Sequence, residues 1–376
     1  MLKMLKILHT GDIHLDCPFS SLDTKQAEIR KNELRSAFTS MMTYARMNQV
    51  NLVLVAGDMF DNRYVTRETI ALIKSEFEKL SCPVVITPGN HDFAGEKSIW
   101  RRNIFPSNVH VFTEEELASI SFDEINTTVY GYAFTSPDML RAPFDGMRVE
   151  DESRINILCA HCDMVGLNDR DCPVTRKQLE DFGCDYAALG HIHNPPPAGK
   201  DNRYAYCGCL EGRAFDELGP KGVIMLEIEK SAPGALAEVR MKRVRFSKRR
   251  YETDDLSVSG AETQADVHEK IREYVASHRY GEDTLLKLRL TGTVSPYLVI
   301  NLGEIESNGF GLFSIKAVDS TTPVPDAESL KNDTTFYGEL YRVLQPQLES
   351  GDEREREVAL RAFRYAVAAV AGESIV

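Results

Sequence analysis

The first 230 residues repeat one pattern of hydrophobicity, in which a short apolar run ends abruptly in polar residues. LKILHTG runs into Asp12-Ile-His14, VNLVLVAG into Asp58, and CPVVITPG into Asn90-His91-Asp92. RINILCA runs into His161, and YAALG into His191-Ile-His193. Short aliphatic and β-branched runs bounded by Gly or Pro predict buried strands. Between them, residues 24–48 and 66–80 carry helical spacing. Strands alternating with helices predict an α/β domain. Functional residues in such sheets collect beyond the carboxyl ends of the strands, so these strands would deliver their polar tips to one rim.

The pattern changes after about residue 235. SAPGAL (231–236) is a turn-rich break, and RMKRVRFSKRR (240–250) follows with seven Lys or Arg and no acid. Residues 262–279 are expected to be helical, LLKLRLTGTV (285–294) a half-buried strand, and 319–333 a loop. Two helices should close the chain, 334–349 and 352–371. The last would start at Asp352 as N-cap, stop at Gly372 and carry Leu360, Phe363, Val367 and Val370 along one side. The expected division is a catalytic domain over 1–235, a basic linker or strand over 236–252, and a smaller α+β accessory domain over 253–376.

At 376 residues, 43% hydrophobic and 27% charged, the composition is that of a globular protein. It excludes a fibre, a disordered chain or a small disulfide scaffold. No apolar run approaches the roughly 20 residues that span a bilayer, and the opening residues lack the pattern of a signal peptide. A soluble cytoplasmic protein with no membrane partner is therefore expected, and its eight cysteines should be reduced. Cys159 and Cys162, with Cys207 and Cys209, give only half of a structural zinc spacing. A net charge of −13 would repel a polyanion, so any binding of nucleic acid must be local. The 240–250 stripe is one candidate for it, and equally a solvated strand or linker.

The polar tips carry the chemistry. A DxH, a GDxxD, a GNHD, a lone His and a GHxH each close an apolar run, and jointly they point to a metal centre. DIH (12–14), GDMFD (57–61), GNHD (89–92), His161 and GHIH (190–193) resemble the five motifs of the calcineurin-like metallophosphoesterase superfamily. LHTGDIHLD (8–16), GDMFDNR (57–63) and YCGCLEGRAFDELGPKGVIMLEI (206–228) resemble, more narrowly, bacterial DNA repair exonucleases of the SbcD type, especially the short YhaO-like group.

The resemblance implies an α/β/β/α sandwich of two mixed sheets and two divalent metal ions. One ion would take Asp12, His14, bridging Asp58 and His193, and the other Asp58, Asn90, His161 and His191. Two dications against two carboxylates leave positive charge for a phosphodiester and a bridging hydroxide. The resemblance favours manganese, with iron or zinc compatible with the same ligands. It makes His91 the general acid and Asp61 the group that orients it and raises its pKa. Arg63 and Arg213 are candidate phosphate contacts, and Asp92 reads as a helix N-cap. Cys162, Cys207 and Cys209 depart from the family pattern and are expected to alter the groove wall. The implied function is a DNA repair exonuclease, the nuclease partner of an SMC-like ATPase, and a homodimer is compatible with the same resemblance. The alternatives are a phosphodiesterase for nucleotides or cyclic nucleotides, or a phosphoprotein phosphatase. A complete ligand set argues against a non-enzymatic adaptor.

Overall fold

A computed structural model describes residues 4–166, 169–295, 298–323 and 330–371. The chain divides into two compact units, Met1–Arg250 and Tyr251–Val376.

The first unit alternates strand and helix as its apolar runs require. Its strands are β1 (Leu5–Thr10), β2 (Leu52–Ala56), β3 (Val84–Thr87), β4 (Val109–Val111), β5 (Ala118–Phe122), β6 (Thr127–Gly131), β7 (Ile155–His161), β8 (Tyr186–Gly190), β9 (Tyr204–Tyr206), β10 (Gly222–Glu229) and β11 (Glu238–Arg245). Its helices are α1 (Thr24–Met47), α2 (Arg67–Glu78) and α3 (Arg176–Phe182). One sheet has the order β11-β10-β1-β2-β3-β4, the other β5-β6-β7-β8-β9. The central strands of both are parallel, and antiparallel β10, β11 and β5 make both sheets mixed.

The two sheets stack face to face, and each central strand is buried on both sides. Along β2, Leu52, Leu54 and Ala56 enter the core between the sheets with Ile157, Cys159 and Ala188. Val53 and Val55 point the other way, under Leu34, Phe38 and Met41 of α1 and Ile73 and Phe77 of α2. The outer face of the second sheet is covered by Leu179 and Phe182 of α3. The result is the expected four-layer α/β/β/α sandwich. Burial on both faces is why these strands read as continuous apolar runs. Asp23 and Thr66 cap α1 and α2 by accepting backbone N–H bonds from Gln26 and Thr69.

The basic stripe lies inside this unit. β11 pairs with β10 along its length at the edge of the first sheet, so residues 231–236 form the turn of a hairpin and the unit runs through Arg250, past the division expected at 235. Most of the positive charge has local partners. Arg240 pairs with Glu238, Arg243 donates to the carbonyls of Tyr206 and Cys207, and Lys248 and Arg249 pair with Glu33. A charged edge strand discourages pairing with another chain.

The second unit holds a sheet of β12 (Arg250–Ser257), β13 (Thr284–Thr291) and β15 (Ser314–Asp319), with the short pair β14 (Thr293–Val294) and β16 (Thr322–Pro323). Gly292, at φ +91°, breaks the expected 285–294 strand into β13 and β14. Val267 and Ile271 of α4 (Gln264–Ser277) and Ile305 of α5 (Leu302–Asn308) share a core with Leu286, Leu288 and Leu290. The closing helices are α6 (Phe336–Leu348) and α7 (Glu353–Ala371). Ala359, Phe363 and Val367 form the buried face of α7, whereas Val370 is 54% exposed and drops out of the expected stripe. Gly372 lies outside the described residues. Among the described residues no helix is long and apolar enough to cross a membrane.

Leu54 is fully buried between the sheets. Leu54→Ala should therefore cost about 2–5 kcal/mol of stability, read as a lowered midpoint in urea denaturation.

Candidate metal centre

The strand ends converge as the α/β pattern requires. Asp12 and His14 follow β1, Asp58 follows β2, Asn90 and His91 follow β3, His161 ends β7, and His191 and His193 follow β8. Donor atoms of Asp12, His14, Asp58 and His193 all lie within 4.8 Å of one another. Asp58 Oδ2 stands 3.4 Å from His14 Nε2 and 3.5 Å from His161 Nε2, between groups brought by different sheets. His161 Nε2 is also 3.1 Å from Asn90 Oδ1, and the His161 and His191 rings are 5.1 Å apart. All seven candidate ligands thus gather at one place, with the Asp58 carboxylate between His14 and His161.

The local backbone is strained to achieve this. Asp12, His14, Asp58 and His191 have positive φ of 48°, 49°, 52° and 103°. Non-glycine residues held there cost of order 1–3 kcal/mol each and cluster at functional sites. Two glycines provide the room. A Cβ on Gly57 would lie 2.2 Å from His161 Nδ1, and one on Gly89 would lie 2.3 Å from Asp58 Oδ1.

The donors fit divalent cations. Asp12 is fully buried, and among the described residues its carboxylate accepts hydrogen bonds only from the backbone N–H of His191, at 2.9 and 3.0 Å. Burial, helped by the nearby Asp58 charge, pushes the Asp12 pKa up to about 6. Burial also acts on Asp58, but the neighbouring His161, His14 and His91 outweigh it and hold that carboxyl below the usual range. Two buried carboxylates side by side are costly unless a cation joins them. Burial depresses the pKa of His14 and His161, which keeps these rings neutral as ligation requires. His161 Nδ1 donates to the Ala56 carbonyl at 2.9 Å, leaving Nε2 as the ligating atom. Carboxylate, imidazole and amide oxygen donors, with no thiolate, suit a binuclear site for divalent ions.

His91 lies beside this cluster with its side chain half exposed. Its Nδ1 donates to Asp61 Oδ1 at 2.5 Å, and that bond, against the opposing pull of burial, lifts the His91 pKa to about 9. The same carboxylate oxygen is 3.3 Å from His14 Nδ1. Asp61 therefore serves His14 and His91 together. A groove of about 700 Å³ opens here, and its lining includes His91, Arg63, Tyr64, Phe93 and Arg213. Arg63 is exposed at the groove. Arg213 is instead turned inward, donating to Glu217 Oε1 from Nη2 at 2.9 Å and from Nε at 3.2 Å.

Three carboxylates beside the centre were not foreseen in these positions. Glu217 Oε1 accepts from His193 Nδ1 at 2.7 Å. It sits in the 206–228 stretch, whose polar residues gave no hint of a partner. Asp171 accepts from Asn90 Nδ2 at 3.3 Å, which turns the amide oxygen toward His161. Asp92 is not a helix N-cap. It is buried and accepts from the backbone N–H groups of Gly89, Asp58 and Met59, clasping two strand-end loops together. The cysteine expectation is also corrected. Cys162, Cys207 and Cys209 are all buried, and Cys17 lines the groove in their place.

A family profile described as calcineurin-like phosphoesterase matches residues 5–195. A curated relative, an uncharacterized metallophosphoesterase YhaO of Bacillus subtilis (strain 168), is 28% identical over 240 residues. The match covers 61% of this chain and 58% of that protein, so the chain spans little more than half of the relative's length.

In the metal-free protein, NMR titration should find His91 charged through neutrality and losing its proton as the pH climbs through about 9. Because the folded pKa is raised above the ordinary 6.5, the stability this provides is complete below about pH 6.5 and is lost as pH rises through about 9. Asp61→Asn should return the titration toward the ordinary value.

Proposed function

Because the chain belongs to the calcineurin-like phosphoesterase family, we propose that it is a two-metal phosphodiesterase acting on DNA ends. The observation that carries the hydrolytic reading is the Asp61–His91 pair, a charged imidazole held at the groove beside the bridging carboxylate Asp58. Two divalent ions would be held by Asp12, His14, Asp58, Asn90, His161, His191 and His193, and would supply water activation and polarise the phosphoryl oxygen. Manganese is our favoured metal.

The side chains do the rest. Asp61 fixes the His91 ring and its charge, and His91 gives its outer proton to the departing oxygen. Asp58 and Asn90 would present their oxygens to the ions, Asn90 because Asp171 holds its amide nitrogen. Arg63 reaches the phosphate or its neighbour, whereas Arg213 is committed to Glu217. Tyr64 is 43% exposed at the groove, and with Phe93 it gives an unpaired base a surface on which to stack. An SMC-like ATPase is the partner we infer. Val343 on α6, with Val358, Tyr365 and Val370 on α7, is exposed and offers it apolar surface.

A second reading has its own support. The net charge is −13 and much of the basic stripe is paired internally, which favours a small nucleotide or cyclic nucleotide over a polyanion. A panel of DNA ends, small diesters and monoesters with Mn²⁺ separates the two. Turnover of DNA, with binding that weakens steeply as salt rises, is expected for the first reading. Turnover of nucleotides without DNA binding at low salt would establish the second.

Asp58→Asn should lose ion binding, measured by equilibrium dialysis, and nearly all activity. His91→Gln should keep both ions and lose about 10²–10⁴ in rate, most with poor leaving groups. Undiminished turnover in His91→Gln would remove the general-acid role.

A further inference from the structure

Arg63 is exposed at the groove, and its guanidinium has no hydrogen-bond or ion-pair partner among the described residues. A long side chain without partners is aimed by the backbone that carries it. That backbone is a turn over residues 61–66, closed on itself where the N–H groups of Tyr64 and Val65 donate to the Asp61 carbonyl at 2.9 and 3.0 Å. The turn is fastened at both ends. At its start, the Asn62 N–H donates to the His91 carbonyl at 3.0 Å and Asn62 Nδ2 donates to the Phe93 carbonyl at 3.3 Å. At its close, Asp16 Oδ2 accepts from both the backbone N–H and the hydroxyl of Thr66, each at 2.9 Å. Val65 packs on the apolar core, a contact without direction.

Asp16 is itself held in place. It is buried, and its Oδ1 accepts from Arg35 Nη2 of α1 at 2.5 Å. Its φ is +67°, a left-handed backbone that short polar residues tolerate better than most. Helix α2 has its cap without this carboxylate, since Thr66 Oγ1 accepts from the Thr69 N–H at 3.2 Å. The Asp16–Thr66 clasp therefore acts on the turn that precedes the helix. A buried carboxylate on strained backbone is costly, and here it secures a surface turn whose exposed tip is Arg63 and Tyr64.

We propose that Asp16 is a positioning residue that aims Arg63 at the substrate phosphate through its clasp on Thr66. This rests on the phosphodiesterase reading, with Arg63 as a phosphate contact. The clasp serves binding and leaves the proton donor alone, because the Asp61 end of the turn is fastened separately to the His91–Phe93 segment.

The test uses the full chain with Mn²⁺. KM is measured on whichever phosphodiester the wild type turns over, DNA ends or the p-nitrophenyl ester of thymidine 5′-monophosphate. Thr66→Asp keeps a good N-cap for α2 and sets a second carboxylate against Asp16. It should raise KM about 10–100-fold, the worth of one hydrogen bond to a charged group, with kcat little changed. Amide hydrogen exchange should quicken over residues 62–65 and stay slow along α2. Thr66→Ser keeps the hydroxyl and should restore both readouts. In an Arg63→Ala background, Thr66→Asp should add almost nothing to KM, because residues acting through one contact are not additive. Asp16→Gly suits the positive φ, should match Thr66→Asp, and replaces it if Thr66→Asp does not fold. A wild type that turns over neither phosphodiester overturns the phosphodiesterase reading and this inference with it. An active wild type whose variants keep KM or the exchange at 62–65 unchanged, lose kcat in place of KM, or show the full KM rise without Arg63 overturns the positioning role alone.

Discussion

The carboxylate of Asp58 is the contact on which the site depends. It leaves the end of β2 in one sheet, and its Oδ2 stands between His14 of that sheet and His161 of the other. Its Oδ1 accepts the backbone N–H of His91. Gly57 turns the chain into it, Gly89 leaves space for its oxygen, and Asp92 ties both loops together. A charge held without solvent among positive-φ neighbours is expensive. The double-sided burial of β1, β2, β7 and β8 supplies the rigidity that keeps it there, since close-packed interiors resist small displacements.

Much of this was legible in the sequence because two signals coincide. Strands buried on both faces leave continuous apolar runs, and the runs stop where the metal-capable residues begin. The candidate ligands therefore sit at predictable points of the chain. What stayed hidden lacks that punctuation. Asp171 and Glu217 lie in loops with no apolar run beside them, so nothing local marks the ring or amide they touch. Asp92 shows how one residue type serves two purposes. A carboxylate after GNH reads equally as a helix cap or a loop clasp, and only the fold brings Met59 and Asp58 to it. The partners of the basic stripe stayed hidden for a related reason. An edge strand with mostly exposed side chains has little apolar periodicity, and its partners Glu33 and Tyr206 are remote in sequence.

Local and global electrostatics have opposite sense in this chain. The whole molecule is acidic, yet the centre gathers neutral rings around two carboxylates and places charged guanidinium groups at the groove. Only one of these, Arg63, stands exposed there, since Arg213 is turned into Glu217. Any positive potential at the groove is accordingly short-range, drawn from the groove's own residues and not from a long basic track.

The acceptors behind the imidazoles make the centre asymmetric. His14 and His193 each have a carboxylate at Nδ1, whereas His161 has a backbone carbonyl. A carboxylate behind a ring makes its far nitrogen a stronger donor. The far nitrogens of His14 and His193 are therefore more electron-rich than that of His161. Asp61 joins that asymmetry to the chemistry, because the oxygen facing His14 is also the one that keeps His91 charged. A change at Asp61 cannot act on His91 without also acting on His14, so the two rings are coupled through a single oxygen atom.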